Sequence, residues 1–165
     1  MKKLTIFLIL ILALGGSAYG QTAPADTSVT SAAAGSYPAG TSYNGVPLNG
    51  LEIAAGSVIF ADGSGGDGAL GIRLIGVSTG LTAPQIINID ALVTGGSRTA
   101  ATAATVSGTC TIDMGNGLPP VTGIPFTATI AADSNNLGAV TLVLGSTQLP
   151  AATIGDGSMT VTDMQ

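Results

Sequence analysis

Histidine and tryptophan are missing from this chain, cysteine occurs once, and charged residues fill only 8% of its 165 positions. Without His there is no Ser-His-Asp or Cys-His relay and no His-ligated metal. Lysine occurs only at positions 2 and 3, ahead of an apolar leader, so the exported chain keeps Arg73 and Arg98 as its cations. That removes Schiff-base chemistry and a phosphate-binding P-loop lysine. Against the two Arg stand Glu52 and eight Asp, a net charge of −7 after export. This balance lacks the basic footprint that nucleic acid or anionic lipid requires. A single Cys excludes an internal disulfide, so the core must hold the fold by itself. No cofactor is expected from this inventory.

The N-terminus reads as a signal peptide over residues 1–20. Met1-Lys2-Lys3 is a short positive region, and Leu4–Leu14 is an apolar run of eleven. Gly15-Gly16-Ser17 breaks it, and Ala18-Tyr19-Gly20 offers small residues for cleavage between Gly20 and Gln21. The run is well short of the roughly 20 apolar residues of a membrane span. The reading is a secreted or periplasmic protein with no membrane attachment after cleavage.

Residues 21–45 are expected to be a flexible linker. Eighteen of residues 21–42 are Ala, Ser, Thr, Pro or Gly, too little apolar surface to offset the entropy of ordering. From residue 46 to 165 the texture changes: 33 of 120 residues are Leu, Ile, Val or Phe. They fall in short runs punctuated by Gly, Pro, Asn and Asp, and no window supports an amphipathic helix longer than two turns. Such spacing predicts an all-β domain, a β-sandwich of seven or eight antiparallel strands. Alternation is clearest at Thr105–Met114, where Val106, Gly108, Cys110, Ile112 and Met114 share one face and Thr105, Ser107, Thr109, Thr111 and Asp113 the other. Phe126–Ile130 and Val140–Leu144 alternate likewise. Further strands are expected near Leu51–Asp62, Ala69–Val77, Gln85–Thr94 and Ser158–Asp163. A shift of 52 residues aligns Gly56, Gly63, Gly65, Gly71 and Ile72 with Gly108, Gly115, Gly117, Gly123 and Ile124. It suggests two related hairpins, with Val58 and Phe60 inward like Cys110 and Ile112, or a coincidence of a Gly-rich chain.

Candidate chemistry is sparse. Cys110 lies on the inward face of its strand, where a thiol is a small hydrophobe with a raised pKa. Asp62 and Asp67 flank the Gly-rich connection Asp62-Gly-Ser-Gly-Gly-Asp67 and are weak Ca²⁺ candidates. The loop has too few ligands for a cation that takes six to eight oxygens, so turn chemistry is the stronger reading there. The same holds at Asp113-Met-Gly-Asn116 and Asp133-Ser-Asn-Asn136. Asp90 and Asp113 are placed on polar strand faces, and Phe60 and Phe126 in the core. No nucleophile–base pair can be assembled, so the chain reads as non-enzymatic. Thr-lined outer faces suit adhesion, carbohydrate or ice, but Thr is also a good strand former, and no ladder spans several strands in the sequence pattern. Arg73 is expected at an edge or interface beside an Asp, and Arg98 in a Gly-Gly-Ser-Arg turn.

In composition the chain resembles secreted bacterial surface proteins of the fimbrial and adhesin type. Fimbrial subunits that exchange donor strands carry a Cys pair and a penultimate aromatic. This chain has one Cys and ends Thr160-Val-Thr-Asp-Met-Gln165. The functional expectation is an exported, non-catalytic protein with a structural or cell-surface interaction role. Its partner would be a second copy or another surface protein. The alternative is an extracytoplasmic binding module for a small apolar or carbohydrate ligand.

Overall fold

A computed structural model describes residues 25–78 and 83–164. The expected signal peptide and its Gly20–Gln21 cleavage point lie outside the described residues. All regular structure among the described residues is β: β1 (Thr27–Ser36), β2 (Ser42–Tyr43), β3 (Val46–Ile59), β4 (Gly66–Gly76), β5 (Ile86–Ala100), β6 (Ala103–Asp113), β7 (Val121–Ala132), β8 (Gly138–Leu144), β9 (Thr147–Gln148) and β10 (Ala152–Asp163).

The strands form one antiparallel sheet in the order β1-β10-β8-β7-β6-β5-β4-β3, and β1 pairs again with β3. The sheet therefore closes into an eight-stranded barrel, with β2 and β9 as short additions to β3 and β8. This corrects the sandwich. Alternating burial demands an oily side for each strand, and a closed wall provides it as well as two stacked sheets do. What the sandwich reading lacked was the closing strand. Thr27–Ser36, placed in the flexible linker, is β1, hydrogen-bonded over its whole length to β3 and over the same residues to β10. Its inward residues Thr27, Val29, Ser31 and Ala33 are small and all buried. β1 is held by two neighbours more than by its own hydrophobicity, which is how context overrides composition in strands.

Each of the seven other barrel strands overlaps an expected one, and several run longer, β5 to Ala100 where Thr94 was the expected end and β10 from Ala152 where Ser158 was the expected start. Inward rows run around the wall in register: Ala33, Ile53, Ile72, Ile89 and Ile112 face one another across five strands and are all buried. Register shifts at Leu48/Gly50, Val93/Gly95 and Cys110/Ile112 bend the strands around the barrel. The outer positions carry mostly Thr, Ser, Asp, Asn, Arg and small residues, with Leu92 and Val121 as exposed apolar exceptions. Aliphatic inside and polar outside is the reverse of a lipid-facing barrel.

The two aligned hairpins are β3–β4 and β6–β7. Their loop glycines share positive φ, Gly63 with Gly115 and Gly65 with Gly117. Their first strands, however, turn opposite faces inward: Ser57 and Ile59 are buried in β3, whereas Cys110 and Ile112 are buried in β6. A one-residue slip exchanges the faces of a strand. Val58 thus points outward, and Phe60, read as core, is 36% exposed.

Candidate functional site: two concavities on a closed wall

One concavity is a shallow dish of about 460 Å³ on the outer wall of β1, β3, β4 and β5. Its floor follows the register row Ala32, Ala54, Gly71 and Asp90, and its border the next row, Glu52, Arg73 and Asn88. Ala32, Ala54 and Gly71 leave the wall bare along the first row, which ends at the exposed Asp90 carboxylate. Arg73 Nη1 donates to Glu52 Oε2 at 2.7 Å from the directly opposed strand position. Arg73 is therefore in the middle of the sheet and paired with a Glu, not at an edge beside an Asp. Both side chains are about half exposed, and a pair so placed adds about 0–1 kcal/mol to stability.

Gly71 is the informative residue of the floor. Its φ is not positive, and a Cβ there would meet nothing within 4 Å. Neither backbone geometry nor crowding demands glycine. In a strand interior a glycine weakens the element, and one use of it is close approach of a ligand. Gly56, on the neighbouring row, is open in the same way.

The second concavity, of about 500 Å³, sits at the barrel end where β1 begins and β3 and β10 end. Ile59 lines it from β3, Phe60 and Gly63 from the β3–β4 connection, Gly96, Ser97 and Arg98 from β5, and Thr27 and Asp163 from β1 and β10. Arg98, expected in a turn, belongs to β5. Its Nε donates to the Ala100 carbonyl at 3.1 Å, its Nη2 to the Ala101 carbonyl at 2.6 Å, and its Nη1 to the Asp163 carboxylate. The connection is pinned as well: the Ala61 amide donates to Asp26 Oδ1 at 2.9 Å, and the Phe60 amide to the Gly65 carbonyl at 3.0 Å.

Asp62 Oδ1 accepts from the Ser64 amide at 2.8 Å, and Asp67 Oδ1 from the Gly68 amide at 2.8 Å. Hydrogen bonds from Ser64, side chain first and backbone second, hold the Asp62 carboxyl below its ordinary range. Asp113 accepts from the Gly115 amide, and Asp133 from those of Asn135 and Leu137. These are the side-chain-to-backbone bonds of turns. Among the described residues no three His, Cys, Asp or Glu side chains converge as a metal would need. Cys110 is buried, 3% exposed, and burial pushes its thiol pKa up. At the barrel end opposite the Phe60 cleft, Tyr43 is buried too. Its phenol is raised by that burial and then by the nearby Cys110, with a hydrogen bond to Asn44 acting the other way.

The hydroxyl ladder that the one-dimensional pattern concealed does form. Ser97, Thr105, Thr129 and Thr141 stand in one register row across β5 to β8, and the Thr105 and Thr129 hydroxyls lie 3.0 Å apart. Four separate strands supply the row, so only pairing brings it together.

Comparison with known proteins found no matching family model, no matching curated protein and no matching solved structure.

Proposed function

We propose that this protein is an exported, non-catalytic binding module that holds a small ligand against the dish on its outer wall. The observation that carries the reading is Gly71, an unconstrained glycine in the floor of a concavity bordered by Arg73, Glu52 and Asn88. Ligand sites combine an apolar floor with a few placed polar groups. Here the matching ligand has one flat apolar face and hydroxyl or amide groups along an edge.

Strand addition needs a free sheet edge. β1 covers β3 and one side of β10 along its whole length, whereas β10 meets β8 only over Ala152–Ile154, so a polymerising partner could add a strand to β10 beyond Ile154 and not at β1. The non-catalytic reading is supported by the ion pairs. Glu52 in the dish is bound to Arg73, and Asp163 in the end cleft to Arg98, so Asp90 in the dish floor has no second unpaired carboxylate beside it for paired acid–base work.

Gly71→Val provides the test, because it fills the dish from a position with room for a side chain. A library of neutral aromatic and polyol fragments is titrated against the isotope-labelled protein. Saturable shifts at the Gly71 and Asn88 amides are expected, and Gly71→Val is expected to abolish them with the remaining spectrum intact. Shifts that persist in the variant, or none at the dish for any fragment, overturn the reading.

A further inference from the structure

The cleft at the end of the barrel is built differently from the dish and supports a separate assignment. We propose that it binds a neutral saccharide, with one sugar ring stacked on Phe60 and adjacent hydroxyls held between Arg98 and Asp163.

Phe60 supplies the first argument. Tyr37, Tyr43 and Phe126 are at most 7% exposed, whereas Phe60 is 36% exposed and lines a cleft. An aromatic ring kept at a concave surface is an apolar platform with a defined face. The C–H face of a pyranose is apolar and flat, and covers such a ring while its hydroxyls point outward.

Arg98 and Asp163 supply the second. A guanidinium has five N–H donors, and three of them are committed to the Ala100 carbonyl, the Ala101 carbonyl and Asp163. Two donors stay available, beside a carboxylate whose side chain is 57% exposed. A pair of neighbouring hydroxyls, each both donor and acceptor, matches that set. The three bonds also fix the guanidinium before any ligand arrives, and the Asp26 and Gly65 bonds fix the backbone that carries Phe60. Groups fixed in advance lose little freedom on binding.

Charge selects the neutral class. The Arg98–Asp163 pair sums to zero, and the exported chain is strongly acidic. An acidic sugar meets repulsion from the whole molecule and no unpaired cation in the cleft.

The test titrates the protein separately with maltohexaose, cellohexaose, mannohexaose and a galacturonate hexamer, following amide resonances. At least one neutral hexamer is expected to shift the Gly63, Gly96 and Ser97 amides saturably, and the galacturonate hexamer is not. Phe60→Ser and Asp163→Ala are each expected to weaken the response about tenfold or more, the loss typical of a central contact. Gly71→Val should leave it unchanged, so this site and the dish stand or fall separately. If Phe60→Ser does not fold, Asp163→Ala carries the comparison. Absence of shifts with every neutral hexamer up to about 10 mM, a range that still registers millimolar binding, overturns the assignment. So does unchanged affinity in the variants, or equal affinity for galacturonate.

Discussion

At Gly71 an added Cβ would have open space, and at Gly108 it would lie 2.0 Å from the Leu92 carbonyl oxygen. Both glycines lie in strands, yet the physics of replacing them is opposite. Gly71→Ala removes backbone freedom from the unfolded chain and is expected to stabilise by about 0.5 kcal/mol. Gly108→Ala forces neighbouring backbone apart and is expected to cost about 3 kcal/mol or more. Urea unfolding of the two variants checks the pair, and equal effects would contradict the packing described. The sequence shows two glycines in strand-like runs and cannot distinguish them, because the difference lies in the neighbouring strand. Cys110 was easier to read. Alternation put it inside, and it is inside. Its raised thiol and the raised phenols of Tyr37 and Tyr43 set an alkaline limit. Below the ordinary thiol value of 9.0 both states keep the proton, and these groups do not affect stability. Above it the unfolded chain releases protons that the folded chain retains, so stability falls as pH rises through 9.0 and then through the phenol value of 10.0. Thermal midpoints should be insensitive to these groups up to about pH 8 and decline beyond it, and Cys110→Val should remove the earliest part of the decline. A midpoint that rises over that range contradicts the burial of all three.

Among the elements, β1 departs most from its composition. Ser, Thr and Ala suit a tether in isolation. They suit a barrel wall when two neighbours accept every second amide and small inward side chains allow tight curvature. Val29 is its one strongly apolar inward residue, 0% exposed. Val29→Asp should cost about 3 kcal/mol or more, as an unpaired buried charge does. Thr30→Asn, one residue on and outward, should cost about 1 kcal/mol or less, chiefly the 2.6 Å contact with the Thr160 hydroxyl. Similar losses for the two would show that β1 has no fixed face. The other seven wall strands were legible as short apolar runs between turn residues, and β6, β7 and β8 also by a clear period of two. The facing of β3 near Phe60 was not. Residues 57–60 (Ser-Val-Ile-Phe) are apolar at three successive places, and either parity buries large side chains. The observed parity buries Ile59 with Ser57 and leaves Phe60 at the end cleft.

For the whole molecule, the decisive feature is closure. Alternation in each strand shows that one side is covered but says nothing of which strands meet. The pairing of β1 with β10 joins residues more than a hundred positions apart. Both concavities depend on β1, the dish through its pairing with β3 and the end cleft through its pairing with β10 as well. The dish spans β1 to β5, and the end cleft gathers the start of β1, the end of β3 and Asp163 of β10. Neither was visible along the chain, although Gly71, Arg73 and Arg98 stood out in it. The seam between β10 and β8 is short, Ala152–Ile154 alone, so β10 beyond Ile154 is paired only with β1. Native-state hydrogen exchange on β1 tests this account most directly. Closure predicts that the amides of residues 28–35 exchange as slowly as those of Ile87 and Ile89, limited by global unfolding. Exchange across residues 28–35 at the rate of an unstructured chain would contradict the closed barrel, and both proposed sites with it.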